Sequence, residues 1–327
     1  MKNIVIDLGG TKLRCAVVEK ASIVQESVKD LHSSEYESFE HALASYAEQL
    51  PSQTGFYGLA VGVAGPVTNT AAEVTNLGWE FNTKDLKEKF SFLGLEKVRF
   101  LNDLEAVAWG VPHLSSVDVV PVLHGEKTKG YNMAVVAAGT GLGMAALYCD
   151  PAGSYHPFAA EGGHTTFAPT EEDSALSEFL RSQYPGHVSF ERVVSGKFGF
   201  YNLFMAYRGE FPESKGKFEG TNPEEFGAKI YELAVSGDPL SIKVIDRFLY
   251  YYGSVAGNFA LMQNARSGVF LGGGIAPKLV EFILKGESFK AGFTTKGRFS
   301  QFNSKIPVSL ISNELCPLLG LDSCLRA

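Results

Sequence analysis

Cysteine is scarce: Cys15, Cys149, Cys316 and Cys324 are the only four in 327 residues. None forms a C-x-x-C pair or neighbours a histidine at metal-ligand spacing. That excludes a zinc ribbon or a disulfide-stapled scaffold and predicts reduced, partly buried thiols. No stretch approaches the ~18 uninterrupted apolar residues of a membrane-spanning helix. The opening MKNIVIDLGG is too short an apolar run for a secretory signal, and the final CLRA is not a peroxisomal address. Positive charge is also lacking. Lys plus Arg is 29 against 36 Asp plus Glu, a net charge of −7. Without a basic run, the chain is a poor partner for nucleic acid or an anionic membrane. No G-x-x-x-x-G-K-[ST] occurs, so a P-loop is excluded. These absences predict a soluble, cytoplasmic protein with small-molecule partners. Any phosphate must be held by local backbone N–H groups and a metal ion.

What is present is a packed globular chain, 45% hydrophobic and long enough for two domains. Residues 3–8 and 13–18 read as two strands joined by a Gly9-Gly10-Thr11 turn, and 22–30 as a third strand. Apolar positions Phe39, Leu43, Tyr46, Ala47 and Leu50 predict a helix over 37–50. Residues 57–63 and 97–101 read as buried strands, with a helix near 84–90 capped by Thr83. The β-β-β-α-β-α-β order predicts a mixed-sheet α/β domain. A second strand–glycine turn–strand unit follows at 132–149, and from 171 the chain reads as mostly helical. Asp238-Pro239 predicts the N-cap and first residue of a long helix to about 264. Its apolar face is Leu240, Val244, Phe248, Tyr251, Val255, Phe259 and Met262. Gly253 and Gly257 on it predict close approach of another element. A strand at 268–271 is read as ending in Gly272-Gly273-Gly274 before a helix after Pro277. A last strand at 306–311 precedes a short tail.

Five constellations carry chemistry. In Asp7-Leu8-Gly9-Gly10-Thr11 a tight turn exposes successive N–H groups that can hold phosphate oxygens, while Thr11 adds a hydroxyl. Asp7 is placed to hold a Mg²⁺-bound water. An ordinary hairpin is the alternative. Gly139-Thr140-Gly141-Leu142-Gly143 is a second such turn. It also fits a relaxed dinucleotide fingerprint, but that needs a helix next, and MAALYC reads as a returning strand. Gly272 to Gly274 let a ribose or flat ring lie against backbone. Asn102-Asp103 ends a strand, where a carboxylate can accept a proton from a hydroxyl; a helix cap is the alternative. Glu161-Gly162-Gly163-His164, with Glu191, suits hydrogen bonding to vicinal hydroxyls better than a metal site. Together these outline an ATP-dependent phosphotransferase without a P-loop.

The pattern resembles the bacterial-type glucokinase family. VIDLGGT at 5–11, NLGWEF at 76–81, LNDLEAVAWGVP at 101–112 and AAGTGLG at 137–143 carry the resemblance. So do EGGH at 161–164, ERVVSG at 191–196, FLGGGIAPK at 270–278 and PLLG at 317–320. They occur in the family's order and cover nearly the whole chain. The resemblance implies an actin-like (ribonuclease H-like, hexokinase-type) ATPase fold with two α/β domains and a cleft between them. The domains expected are 1–111 plus about 306–327, and 112–305. It further implies transfer of the ATP γ-phosphoryl group to the 6-hydroxyl of D-glucose, with Mg²⁺ offsetting charge. Domain closure would exclude water. Asp103 matches the family's catalytic base, and Asn102, Asp103, Glu161, His164 and Glu191 match sugar-binding positions. Asp7, Leu8, Gly9, Gly10 and Thr11 match the first phosphate loop. Gly139, Thr140, Gly141 and Gly143 match the second, and Gly272, Gly273 and Gly274 the adenosine loop. No direct protein ligand to the metal is expected. A homodimer is implied. A kinase of another hexose or an amino sugar, or a sugar sensor on the same fold, are the alternatives. Two lysines depart from the pattern. Lys12 follows G-G-T where asparagine is usual and reads as a solvated cation. Lys197-Phe198 stands where Pro-Gly often follows Ser195-Gly196, leaving the start of the next helix open. Gly78 stands before Trp79 in place of a bulkier residue.

Overall fold

The computed structural model describes residues 1–126 and 128–327. The chain divides into two compact units. Unit 1 is Met1–Asp118 and Asn313–Ala327 with the stretch His156–Ala159; unit 2 is Val119–Tyr155 and Ala160–Ser312.

Unit 1 is built on the strands β1 (Lys2–Leu8), β2 (Lys12–Glu19), β3 (Ser22–Ile23), β4 (Lys29–His32), β5 (Gly58–Val63) and β8 (Lys97–Asn102). Between the last two lies a separate hairpin of β6 (Ala71–Val74) and β7 (Trp79–Asn82). The main order is β3-β2-β1-β5-β8, with β4 also on β2. The β1–β2 hairpin is antiparallel, whereas β1, β5 and β8 run parallel. The single strand expected over 22–30 is therefore two pieces. Ser22–Ile23 pairs with the far end of β2 and Lys29–His32 with its near end. A 3₁₀ turn at Gln25–Ser27 interrupts them, and Ser27 fills the break by accepting from Val17 N at 2.8 Å. The helix Phe39–Glu48 buries Phe39, Leu43, Tyr46 and Ala47 as its spacing predicts. The helix Thr83–Lys89 is capped by Asn82, whose side chain accepts from Asp85 N at 2.9 Å, not by Thr83.

The expected tail is instead a helix, Cys316–Arg326, which buries Leu318, Leu321 and Leu325. It crosses the helix Asp103–Gly110 at backbone distance. A Cβ on Gly320 would lie 1.9 Å from Ala106 O, and one on Gly110 would lie 2.2 Å from Cys316 O. Asn3 donates to Asp322 at 2.7 Å, tying the same helix to β1.

Unit 2 contains β9 (Val119–Leu123), β10 (Met133–Ala138), β11 (Leu142–Cys149), β13 (Gly268–Gly272) and β14 (Val308–Ile311); Tyr155–Ala160 forms β12. Their order is β11-β10-β13-β14-β9, with β10, β13 and β14 parallel. MAALYC is a strand of an antiparallel pair, Ala138 opposite Leu142, so the dinucleotide fingerprint is excluded. The long helix Pro239–Gln263 starts as expected, with the Asp238 side chain accepting from Ser241 N. Its apolar face is buried through Phe259, but Met262 lies one residue from the end and is 63% exposed. Gly253 and Gly257 do admit a neighbour, the helix Ser288–Thr294, whose carbonyls at Phe289 and Phe293 occupy the space of their missing side chains. Ser300–Asn303 and short 3₁₀ turns complete this helical layer.

All four cysteines are free and buried. Among the described residues, no helix is long and apolar enough to cross a membrane.

Candidate active site

In unit 1 the parallel strands end at one sheet edge, where β1 and β8 present their C-terminal residues. Asn102 closes β8 and caps the following helix, its Oδ1 accepting from Leu104 N at 3.0 Å. Asp103 is the first helical residue. The cap and the strand end are thus the same feature, since a strand-to-helix turn needs an oxygen acceptor at that place. Asp103 is solvent-accessible, as an acceptor for an incoming hydroxyl must be. Desolvation by the surrounding protein nevertheless raises its pKa, against the lowering effect of Leu104 N–H at 2.8 Å.

Asp7 lies on β1 beside it, half-buried. Burial first, and the Asp103 charge second, push its pKa up to about 6, against the Arg14 charge. The turn after it is closed by Gly9 N donating to Lys12 O at 2.9 Å. Leu8 is buried, Gly10 O accepts from Ser33 Oγ at 3.1 Å, and Thr11 stays exposed. Lys12 is not simply solvated: its ammonium pairs with Asp30 at 2.6 Å, in an exposed contact. Arg14, opposite Asp7 in the hairpin register, is held by Asp30 and Glu314, each at 2.8 Å.

In unit 2 the β10–β11 turn is pinned from outside. Gly139 N donates to Gly141 O at 2.9 Å. Gly196 N donates to Gly139 O at 2.8 Å, and Lys197 N to Thr140 O at 3.2 Å. Glu191 Oε2 accepts from Leu142 N at 3.0 Å. A Cβ on Gly141 would lie 2.5 Å from that carboxylate, so a side chain there would displace Glu191. Gly143 is already in β11, opposite Ala137.

Gly162–His164 form a 3₁₀ turn. Phe190 N donates to Thr165 O at 3.0 Å, joining the segment of Glu191 to the one that follows His164. Glu161 and His164 approach to 3.9 Å with mostly exposed side chains, as groups awaiting hydroxyl partners would be. After Ser195-Gly196 the helix begins at Gly199.

Gly139, Thr140, Gly196, Lys197 and Gly274 line one cavity of about 940 Å³. Phe200, Glu224, Tyr231 and Lys278 are also in its wall, and sequence reasoning did not assign them to a site. Only Lys278 lay inside a recognised segment; Glu224 and Tyr231 sit in a helical stretch with no chemical signature. Gly272 ends β13, and Gly273 takes φ +79° against Ala138 O. The helix expected after Pro277 is present, starting at Val280 and six residues long. Gly272–Gly274 therefore lead into turns, not into a helix N-terminus. Among the described residues, no cluster of three or more His, Cys, Asp or Glu is arranged to hold a metal.

A strand-end carboxylate of raised pKa, glycine turns whose backbone is held in place and a cavity of nucleotide size define a phosphotransferase of the sugar-kinase class. The glucokinase family profile matches residues 4–327. A glucokinase of Nitrobacter hamburgensis is 35% identical over 318 residues, covering 96% of this chain and 94% of that protein. One of Chromohalobacter salexigens is 33% identical, covering 98% and 96%. The crystal structure of glucokinase from an Antarctic psychrotroph superposes with a TM-score of 0.85 at 31% identity, covering 99% and 98% of the two chains. The chain belongs to the glucokinase family, and its fold is the two-domain actin-like fold of sugar kinases.

Proposed function

We propose that this chain transfers the γ-phosphoryl group of ATP to the 6-hydroxyl of D-glucose, with Asp103 as general base. The observation that carries the assignment is the Asp103 carboxyl: accessible, fixed at a helix start, and raised in pKa by desolvation. A base works best when its pKa approaches the working pH, and desolvation moves a carboxylate that way. Asp103 takes the proton as the sugar oxygen attacks the γ-phosphorus. Asn102, Glu161, His164 and Glu191 hold the other hydroxyls. Glu191 has a second task, because it already carries Leu142 N–H and so ties sugar binding to the phosphate turn. The N–H groups of Gly10, Thr11, Thr140 and Gly141 receive phosphate oxygens, and the cavity beside Gly274 receives the adenosine.

Mg²⁺ fits these residues as a companion of ATP. It is held by one or two carboxylates and keeps several waters, so a dedicated cage is not needed. Asp7 is the carboxylate available for that, through water. Burial first, and the Asp103 charge second, hold its pKa up to about 6 against Arg14, and a cation nearby would favour its charged form. When bound, the ion supplies charge neutralisation on the phosphates. A homodimer in the cytoplasm completes this reading, and light scattering of the purified protein tests the first part.

The decisive assay is ADP release from Mg·ATP with glucose, fructose, mannose or N-acetylglucosamine in parallel. Glucose-dependent turnover at micromolar sugar is expected. Turnover confined to another sugar would overturn the substrate, and binding of glucose without turnover would overturn the reaction.

A further inference from the structure

The charged lining of the unit 2 cavity is two lysines, Lys197 and Lys278, against one glutamate, Glu224. This local excess of positive charge stands in a chain of net charge −7. Lys197 is the lysine beside the phosphate turn. Its own N–H donates to Thr140 O at 3.2 Å, and the N–H of Gly196 before it donates to Gly139 O at 2.8 Å. The lysine backbone is thus one hydrogen-bond rung from the Gly139–Leu142 turn. Its side chain is exposed, and no carboxylate among the described residues forms an ion pair with it. The Phe198 ring, 5.2 Å from the ammonium, orients the stem and leaves the charge uncompensated. Lys278 stands on the other wall, in the segment after Gly274.

We propose that Lys197 is a donor-binding residue whose ammonium holds the β- and γ-phosphoryl oxygens of the nucleotide seated on the Gly139–Leu142 turn. This rests on the nucleotide-binding reading above. The physical reason is that backbone N–H groups carry only partial charge, while a polyphosphate at neutral pH carries several full ones. A compact ammonium on a flexible four-carbon stem, anchored at its Cα beside the turn, supplies a full charge where the terminal phosphates lie. Lys278, set by the adenosine loop, lies further along the nucleotide.

Two variants and two nucleotides test it. Lys197→Gln should raise the KM for ATP about 10-fold, the scale of one charge-assisted hydrogen bond. The KM for glucose should stay within about twofold. Lys197→Arg, which keeps the charge, should recover most of the loss. Calorimetric titration separates the phosphates: ADP should bind Lys197→Gln several-fold more weakly than wild type, and AMP equally well. An unchanged KM for ATP overturns the proposal, as does equal weakening of AMP and ADP. A wild-type protein that binds ADP but phosphorylates no sugar would sink the proposed function, and the ADP-against-AMP comparison would still decide the role of Lys197. Thermal unfolding of each variant confirms that the folded protein is being measured.

Discussion

Asp7 and Asp103, two acids at the ends of β1 and β8, share one corner of unit 1: burial first, and the Asp103 charge second, push Asp7 up to about 6. β5 runs between their strands, with Gly62 in register with Asp7 on one side and Leu101 on the other. Having no side chain, Gly62 leaves the space between Asp7 and the helix that Asp103 opens; a Cβ there would stand 3.7 Å from Asp7 Oδ1 and 3.3 Å from Ala106 Cβ. The corner thus concentrates negative charge, which a bound cation would offset.

Asp103→Asn keeps the cap geometry and removes the base. The expected result is a fall in kcat of about 10²–10⁴, with little change in the KM for glucose. ADP release measured at saturating sugar checks it. Turnover within a factor of a few of wild type would remove Asp103 from the mechanism.

Glu161 and Glu191 should separate in kinetics although both were assigned to sugar binding. Glu161 is exposed and its carboxylate approaches His164, so Glu161→Gln should raise the KM for glucose and leave that for ATP nearly unchanged. Glu191 also holds Leu142 N–H, so Glu191→Ala should raise both constants. Paired Michaelis curves, varying one substrate at a time, show the difference; identical patterns for the two variants would refute it.

Gly320→Ala places a methyl group 1.9 Å from Ala106 O, in the helix whose first residue is Asp103. Overpacking of this kind costs about 1–3 kcal/mol. Urea unfolding should show a lowered midpoint with an unchanged slope. Because the displaced helix carries the base, kcat should fall as well, while a variant as stable as wild type would mean that the two helices separate freely.

Lys296 gives the alkaline side of the stability curve. Its ammonium donates to Gly292 O at 3.0 Å and Ser254 O at 3.1 Å, and burial lowers its pKa to about 8 from 10.5. Between these values the unfolded chain binds more protons than the folded one, so this group's contribution to stability rises with pH from about 8 to 10.5. Below 8 both states are charged and the penalty is constant, on the order of 2 kcal/mol after screening. The unfolding free energy of wild type minus that of Lys296→Met should therefore climb between pH 8 and 10. A flat difference would show that Lys296 titrates normally.

Much of the fold was legible because it depends on local rules. Apolar runs on either side of glycine turns marked both hairpins, and Asp238-Pro239 marked the start of the long helix. The misreadings fall where local signals are weak or compete. Asn82 and Thr83 are both good caps, and only the hydrogen bond to Asp85 N chose Asn82. The helix Cys316–Arg326 opens on Cys-Pro and contains Gly320, which read as a tail. Its packing on the helix Asp103–Gly110 stabilises it despite that sequence.

The sequence by itself determined the chemistry on offer: a strand-end Asp103, glycine turns at Gly9 and Gly139, and polar groups at Glu161, His164 and Glu191, since residue type and spacing dictate which groups can donate, accept or bend. Tertiary structure alone decided how those groups are tuned and which of them meet. The raised pKa of Asp7 comes from the burial and charge around it. The grip of Glu191 on Leu142 N–H, 49 residues apart in sequence, and the gathering of Lys197, Glu224, Tyr231 and Lys278 around one cavity come from folding. Burial, charge proximity and long-range hydrogen bonds are properties of separation in space, and no local pattern in the chain encodes them.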